Sequence, residues 1–323
     1  MNHLRLEARH DLLPVVRRSR TMALVLRRVL ALSLVFAVSA CGRQAEPPPR
    51  EPVPVAPSAP ERQLIPEAPA APAPSASTLA AAQTPATGDL DAVSARGRLR
   101  ILVTPSRTYY AIDNNLQRGA SYDAGVAFTR FTNARQPSAR PIEVIFIPTP
   151  EDVLVKNLLA GRGDIAVNLR QTFERDDQVA FATPTRTGIR EWIITGTGQK
   201  PVVSLEDIGG RVIHVRKSSD HYASLVRLNE QLQTIARPPS RIAFADESLT
   251  DEDLLERVNE GTFPATITDD YLFEARQREL TSVAANKDVA VSQDGVIAWV
   301  TRKDAPQLLA AINAFFATHR PRP

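Results

Sequence analysis

Apolar and polar positions along the 323-residue chain change period several times, and each change predicts an element. Residues 98–103 (RLRILV) place Leu99, Ile101 and Val103 on one side of a strand. A helix containing Val126, Phe128 and Phe131 follows, then a strand over 143–147. Pro150 marks the next helix start; Leu154/Leu158 and Val155/Leu159 pair at i, i+4 before Gly161 ends the helix. The stretch 163–184 (GDIAVNLRQTFERDDQVAFATP) organises the chain. Within it, 164–168 is a short apolar strand ending at Asn168, a polar loop holds Arg170, Thr172 and Arg175, and 179–182 turns apolar again before Pro184. Strand, helix, strand, helix, strand with short connections predicts a parallel α/β lobe.

The pattern then restarts. Residues 191–195 (EWIIT) form a strand followed by Gly196 and Gly198, glycines compatible with a hinge. A strand-to-helix junction lies at 216–222, where Ser218 or Ser219 is a natural N-cap and the amides of the helix start suit an anion. Residues 250–261 carry a capping box (Thr250, Asp253), acids in the first turn, an apolar face of Leu254, Leu255 and Val258, and Gly261 past the end. The strand 265–268 delivers Asp269 and Asp270 to its C-terminal edge, the edge that borders the ligand cleft in an open α/β lobe. A strand over 292–302 and a helix over 307–316 complete the pattern.

Composition changes the picture at the N-terminus. Twelve of the 26 prolines lie between Pro47 and Pro85, in a Pro/Ala-rich stretch without periodic apolar residues, so 41–94 is expected to be a disordered tether. The sequence pI of 9.2 raises nucleic acid as a partner. Residues 1–40, however, hold seven Arg and two acids, which leaves 32 basic and 34 acidic residues elsewhere, with no basic stripe interleaved with aromatics; no nucleic-acid partner is expected. Cys41 is the only cysteine, which excludes internal disulfides and cysteine-cluster metal sites. Arg27 and Arg28 precede a short apolar run over 29–38, too short to span a bilayer, and small residues lead to Cys41: a secretory signal over 1–40, with 1–21 as an over-extended start before Met22.

Two resemblances sharpen these readings. The stretch Val38-Ser39-Ala40-Cys41 resembles a bacterial lipobox, which implies lipidation of Cys41 and a periplasmic, membrane-anchored protein. G-D-I, T-x-x-R and F-A-x-P over 163–184, with LEDIGGRVIHV over 205–215, resemble the periplasmic solute-binding proteins of family 3 that serve amino-acid ABC importers. The wording VRKSSDHYASL, ADESLTDEDLL and IAWVTRKDAPQL is similar to the solute-binding half of membrane-bound lytic transglycosylases of the F type. The resemblance covers about 95–317, and stops short of a glycan-cleaving domain and of the final Gly-containing turn and helix that usually complete the first lobe.

The resemblance implies an α/β, two-lobed periplasmic binding protein (type II, Venus-flytrap) with a hinge of two crossing strands. Lobe one is 95–195 plus 292–323 and lobe two 196–291. It also implies that Arg175 and Ser219 hold a ligand carboxylate from opposite lobes and Asp269 the amine, with Tyr109 or Tyr110 walling the pocket and Asn168 and Ser218 beside it. Arg170 either faces solvent or meets a second carboxylate of an acidic ligand. The expected ligand is an amino acid or a muropeptide-like carboxylate, the expected partner an ABC permease or a murein hydrolase, and the state monomeric. No cofactor, metal or catalytic residue is expected. His214, His221 and His319 lack zinc spacing and read as solvated, and Glu247-Ser248 lies in a polar segment rather than a catalytic setting. G-x-S-x-G, phosphate-loop and G-x-G-x-x-G motifs are absent. The alternative function is a non-catalytic sensor of cell-wall turnover.

Overall fold

The computed structural model describes residues 61–136 and 140–321; the expected signal segment, the expected lipidation site Cys41 and the first part of the Pro/Ala-rich stretch lie outside them. From Glu61 onward that stretch is not a tether, which corrects the expectation of disorder. Strand β1 (Gln63–Leu64) pairs with the last strand of the chain, β2 (Ala71–Pro72) joins a small sheet, and helix α1 (Ala76–Ala82) is capped by Ser75. Ile65 and Ala68 are buried in the first core. Few apolar residues are available to hold such a segment, and polar groups do the holding. The Arg100 guanidinium donates to the carbonyls of Ala82, Thr84 and Ala86 at 2.8–3.1 Å and also to Asp164, whose side chain is fully buried. Arg302 takes the carbonyl of Gly88, and the Asp89 carboxylate accepts the amides of Gln307 and Leu308.

Helix α2 (Leu90–Arg96) ends at Gly97, whose positive φ closes the turn into β3 (Arg98–Val103), as the RLRILV pattern predicts. The hairpin β4 (Ala111–Asp113) and β5 (Leu116–Arg118) leads to α3 (Ala120–Arg135), β6 (Glu143–Pro148), α4 (Leu154–Leu159) and β7 (Ile165–Arg170). β3 lies between β6 and β7, parallel to both. Short helix α5 (Phe173–Asp176) and strand β8 (Val179–Phe181) follow, then β9 (Arg186–Gly196), the first strand to leave the lobe.

The second lobe is built from β10 (Val212–Val215), α6 (Asp220–Thr234), β11 (Arg241–Phe244), α7 (Asp251–Asn259), β12 (Ala265–Asp269) and α8 (Asp270–Arg276). β10 runs parallel to β11 and β12. The 20-residue β13 (Val283–Arg302) returns antiparallel to β9, and α9 (Pro306–Thr318) and β14 (His319–Arg320) close the first lobe. One sheet therefore runs β11-β10-β12-β9-β13-β7-β3-β6, and β9 and β13 are the two strands common to both lobes. Trp192, Ile193 and Ile194 pack in second-lobe clusters, so the crossing falls within β9 before Trp192 rather than after Thr195. Trp299 is back in the first core, against Phe128 and Phe316.

Candidate functional site

The ends of strands and starts of helices converge where the lobes meet. From the first lobe come Tyr109 in the loop after β3, Asn168 and Arg170 at the end of β7, and Arg175 in α5. From the second come Arg216 just after β10, Asp220 and His221 at the start of α6, Asp251 and Glu252 at the start of α7, and Asp269 and Tyr271 where β12 becomes α8. Glu191 lies on the crossing strand β9, directly opposite Asp269 in the antiparallel register. Like charges facing each other across a ladder repel, so this register needs a cation nearby.

Two cations supply it. Arg170 places its guanidinium on Asp269 and 3.5 Å from Glu191, and His221 brings Nδ1 to 3.3 Å from Glu191 Oε1. Burial alone would lower the His221 pKa, but Glu191, with Asp251 and Asp269 behind it, pushes it up to about 10. Glu191 is correspondingly held below its usual range against the effect of burial, by His221 and Arg170. Arg170 is likewise held charged: burial opposes, while Asp269, Glu191 and Asp220 outweigh it. Its place depends on Gly295, since a Cβ there would stand 2.1 Å from Arg170 Nη1. Glu191, His221 and Asp269 are, among the described residues, the one group of three potential metal ligands within 4.8 Å of one another. Arg170 already rests against two of them, so a metal ion would have to displace a like charge.

The lobes touch through further polar bonds. Arg175 Nη1 donates to Asp220 at 2.9 Å and to the Arg170 carbonyl at 2.8 Å. Arg216 Nη2 bridges Glu151 and Asp251 at 2.9 and 2.8 Å. Glu252 accepts from the Ser106 hydroxyl and the amides of Arg107 and Thr108. Tyr109 meets Tyr271 edge to face at 5.9 Å, and burial pushes the Tyr109 phenol up to about 12. A cavity of about 100 Å³ lies between Tyr109, Asn168, His221, Asp269 and Tyr271. A larger one of about 860 Å³ lies beside it, against Arg175, Ser218 and Ser224. Glu151, Arg170 and Asp220 wall both.

Arg175, Arg170, Asp269, Asn168 and Tyr109 come together at the cleft. Arg170 belongs to strand β7, not to the loop; it borders both cavities, and the protein's own carboxylates meet it there. Tyr110 does not wall the cleft; it is buried in the first core, stacked on Phe146, with its hydroxyl donating to Gln117. The Ser219 hydroxyl is used as the α6 cap, accepting from Tyr222 N and donating to the Arg216 carbonyl. Ser218 is exposed and bonds Glu247, whose carboxylate also accepts the Lys217 amide, which gives Glu247 a loop-holding role. The histidines are not solvated as expected. His221 is buried in the cleft, His214 stacks on Phe263 at 3.9 Å, and His319 stacks on Phe315 at 4.5 Å. Glu191, His221, Asp220, Arg216, Asp251 and Glu252 escaped sequence reasoning, because only the pairing of lobes brings them together.

The model of the bacterial extracellular solute-binding proteins, family 3, matches residues 105–321, about two thirds of the chain. The chain belongs to that family. Solved structures agree on the fold. An ancestral arginine-binding protein bound to arginine aligns over 68% of this chain and 91% of its own, at 20% identity and a TM-score of 0.55. An amino acid ABC transporter substrate-binding protein from Streptococcus pneumoniae, bound to L-arginine, aligns over 70% and 90%, at 18% identity and a TM-score of 0.57. At such identity the likeness establishes the two-lobed type II fold alone. Among curated proteins, the membrane-bound lytic murein transglycosylases F of Desulfosudis oleivorans and Saccharophagus degradans are 23% and 25% identical over 68% and 72% of this chain. The chain spans less than half of their length, 45% and 43%. Family 3 membership makes the cleft between the lobes the place to look for a solute.

Proposed function

We propose that the protein is a lipid-anchored periplasmic solute-binding protein that captures an amino acid or related small carboxylate between its lobes. Arg175 is the group for the carboxylate, since a planar guanidinium binds both oxygens, and Asp269 is the group for the amine. The observation that carries this reading is their placement: Arg175 comes from the first lobe, Asp269 from the second, and a ligand touching both favours the closed arrangement. Closure of this kind suits delivery to an ABC permease. The protein works as a monomer and without catalysis of its own.

Anchoring rests on Cys41, outside the described residues, and is checked by palmitate labelling that Cys41→Ala abolishes. A second reading is favoured by the curated relatives: the part of the murein transglycosylases that matches is this module, which suits a sensor of cell-wall turnover that binds peptidoglycan fragments or a murein hydrolase. A thermal-shift screen of the full chain against the proteinogenic amino acids and soluble peptidoglycan fragments decides between them. Stabilisation by an amino acid supports capture for import. Stabilisation by peptide-bearing fragments alone supports the sensor and contradicts the first reading.

A further inference from the structure

The two groups on which the proposed site depends each hold an opposite charge of the protein itself. Arg175 from the first lobe holds the Asp220 carboxylate of the second at 2.9 Å. Asp269 from the second lobe holds the Arg170 guanidinium of the first. The two pairs are linked, because Arg170 Nε lies 3.9 Å from Asp220 Oδ2. Within the protein this reproduces the charge layout of a bound zwitterion, a carboxylate on Arg175 and a cation on Asp269. Space tells the same story. Arg175 borders only the larger cavity and Asp269 only the smaller, and Arg170 and Asp220 stand between the two. A molecule reaching from Arg175 to Asp269 has to move that partition.

We propose that Asp220 and Arg170 act as an internal counter-ligand, a specificity-determining pair that latches the lobes and that a solute must displace, its carboxylate replacing Asp220 and its amine replacing Arg170. This rests on the reading of the cleft as an amino-acid site. Displacement is asymmetric. The Asp220 side chain is 20% exposed and can turn into the larger cavity, while Arg170 is 12% exposed and keeps Glu191 as a neighbour when it leaves Asp269. A solute with a carboxylate but no amine removes one half of the latch only, and an amine alone removes the other. The cleft therefore selects for both charges on one molecule. The latch also lowers the apparent affinity, because the receptive state is only a fraction of the population.

The test uses the full chain with spin labels on cysteines introduced at the exposed positions Arg130 on α3 and Glu230 on α6, in a Cys41→Ser background. Inter-lobe distances are measured without solute, and calorimetry follows binding of L-arginine, L-glutamate and glycine. Asp220→Asn is the main variant. Asp220→Ser guards against a folding defect peculiar to the amide, and Asp220→Glu, which keeps the charge, serves as control. The latch predicts a short distance in the parent chain, a longer or broader one in the Asn and Ser variants, and amino-acid binding tightened about tenfold or more by the same substitutions. If the variants open while no chain binds any of the amino acids, the latch stands and the amino-acid reading falls. If the parent binds an amino acid, and neither distance nor affinity changes in the two variants, the latch is overturned and the reading survives. An open parent chain without solute also overturns it.

Discussion

His221 shows what a single residue contributes at the junction of the lobes. Its ring is buried against Glu191, and the folded-state pKa of about 10 lies above the ordinary value of 6.5. A group whose pKa is raised by folding contributes stability fully present below its unfolded pKa and lost as pH rises through the folded value. Here the window runs from about pH 6.5 to about 10. Thermal unfolding of the parent chain should therefore fall in midpoint across that window, and His221→Gln should flatten the fall while lowering stability by roughly a few kcal/mol near pH 6. A variant that keeps the parent's slope would mean that His221 is neutral in the folded protein. At this scale the sequence was readable as position: Arg175 in the T-x-x-R stretch and Asp269 at the edge of β12 both border the cleft. His221 was not readable, because helical position says nothing about a strand that arrives from the other end of the lobe.

Among the elements, the strap from Glu61 to Asp89 departs furthest from expectation. With few apolar residues to bury, the segment would be disordered on apolar burial alone. Its order comes instead from carbonyls that two buried arginines collect, Arg100 and Arg302. Arg100→Ala should release residues 82–86 and leave Asp164 buried without one of its partners, at about 3–5 kcal/mol. Limited proteolysis should then cut between 74 and 88, and an uncut strap in a destabilised variant would contradict this role. Elements with their own punctuation were legible. The α7 capping box is present as read, with Thr250 and Asp253 bonding each other's amides. The early half of β13 was not legible, because NKD interrupts its apolar alternation at an irregularity in the ladder, where pairing with β9 shifts register between Ala285 and Ala290.

Across the whole molecule, the strand-helix alternation made α/β lobes legible, and the two-lobed plan was legible through the family resemblance of the motifs over 163–215. The closed contact between lobes was not, since it depends on charges drawn from six elements. The proposed function turns on Arg175, which holds Asp220 and would take a ligand carboxylate in its place. The direct measurement is isothermal titration calorimetry of the full chain and of Arg175→Ala with the amino acid that most raises the unfolding midpoint. A charged hydrogen-bonded contact is worth roughly 1.5–3 kcal/mol, so the account predicts saturable binding by the parent chain, weakened about ten- to a hundredfold in Arg175→Ala. Equal affinity in the two proteins would contradict it.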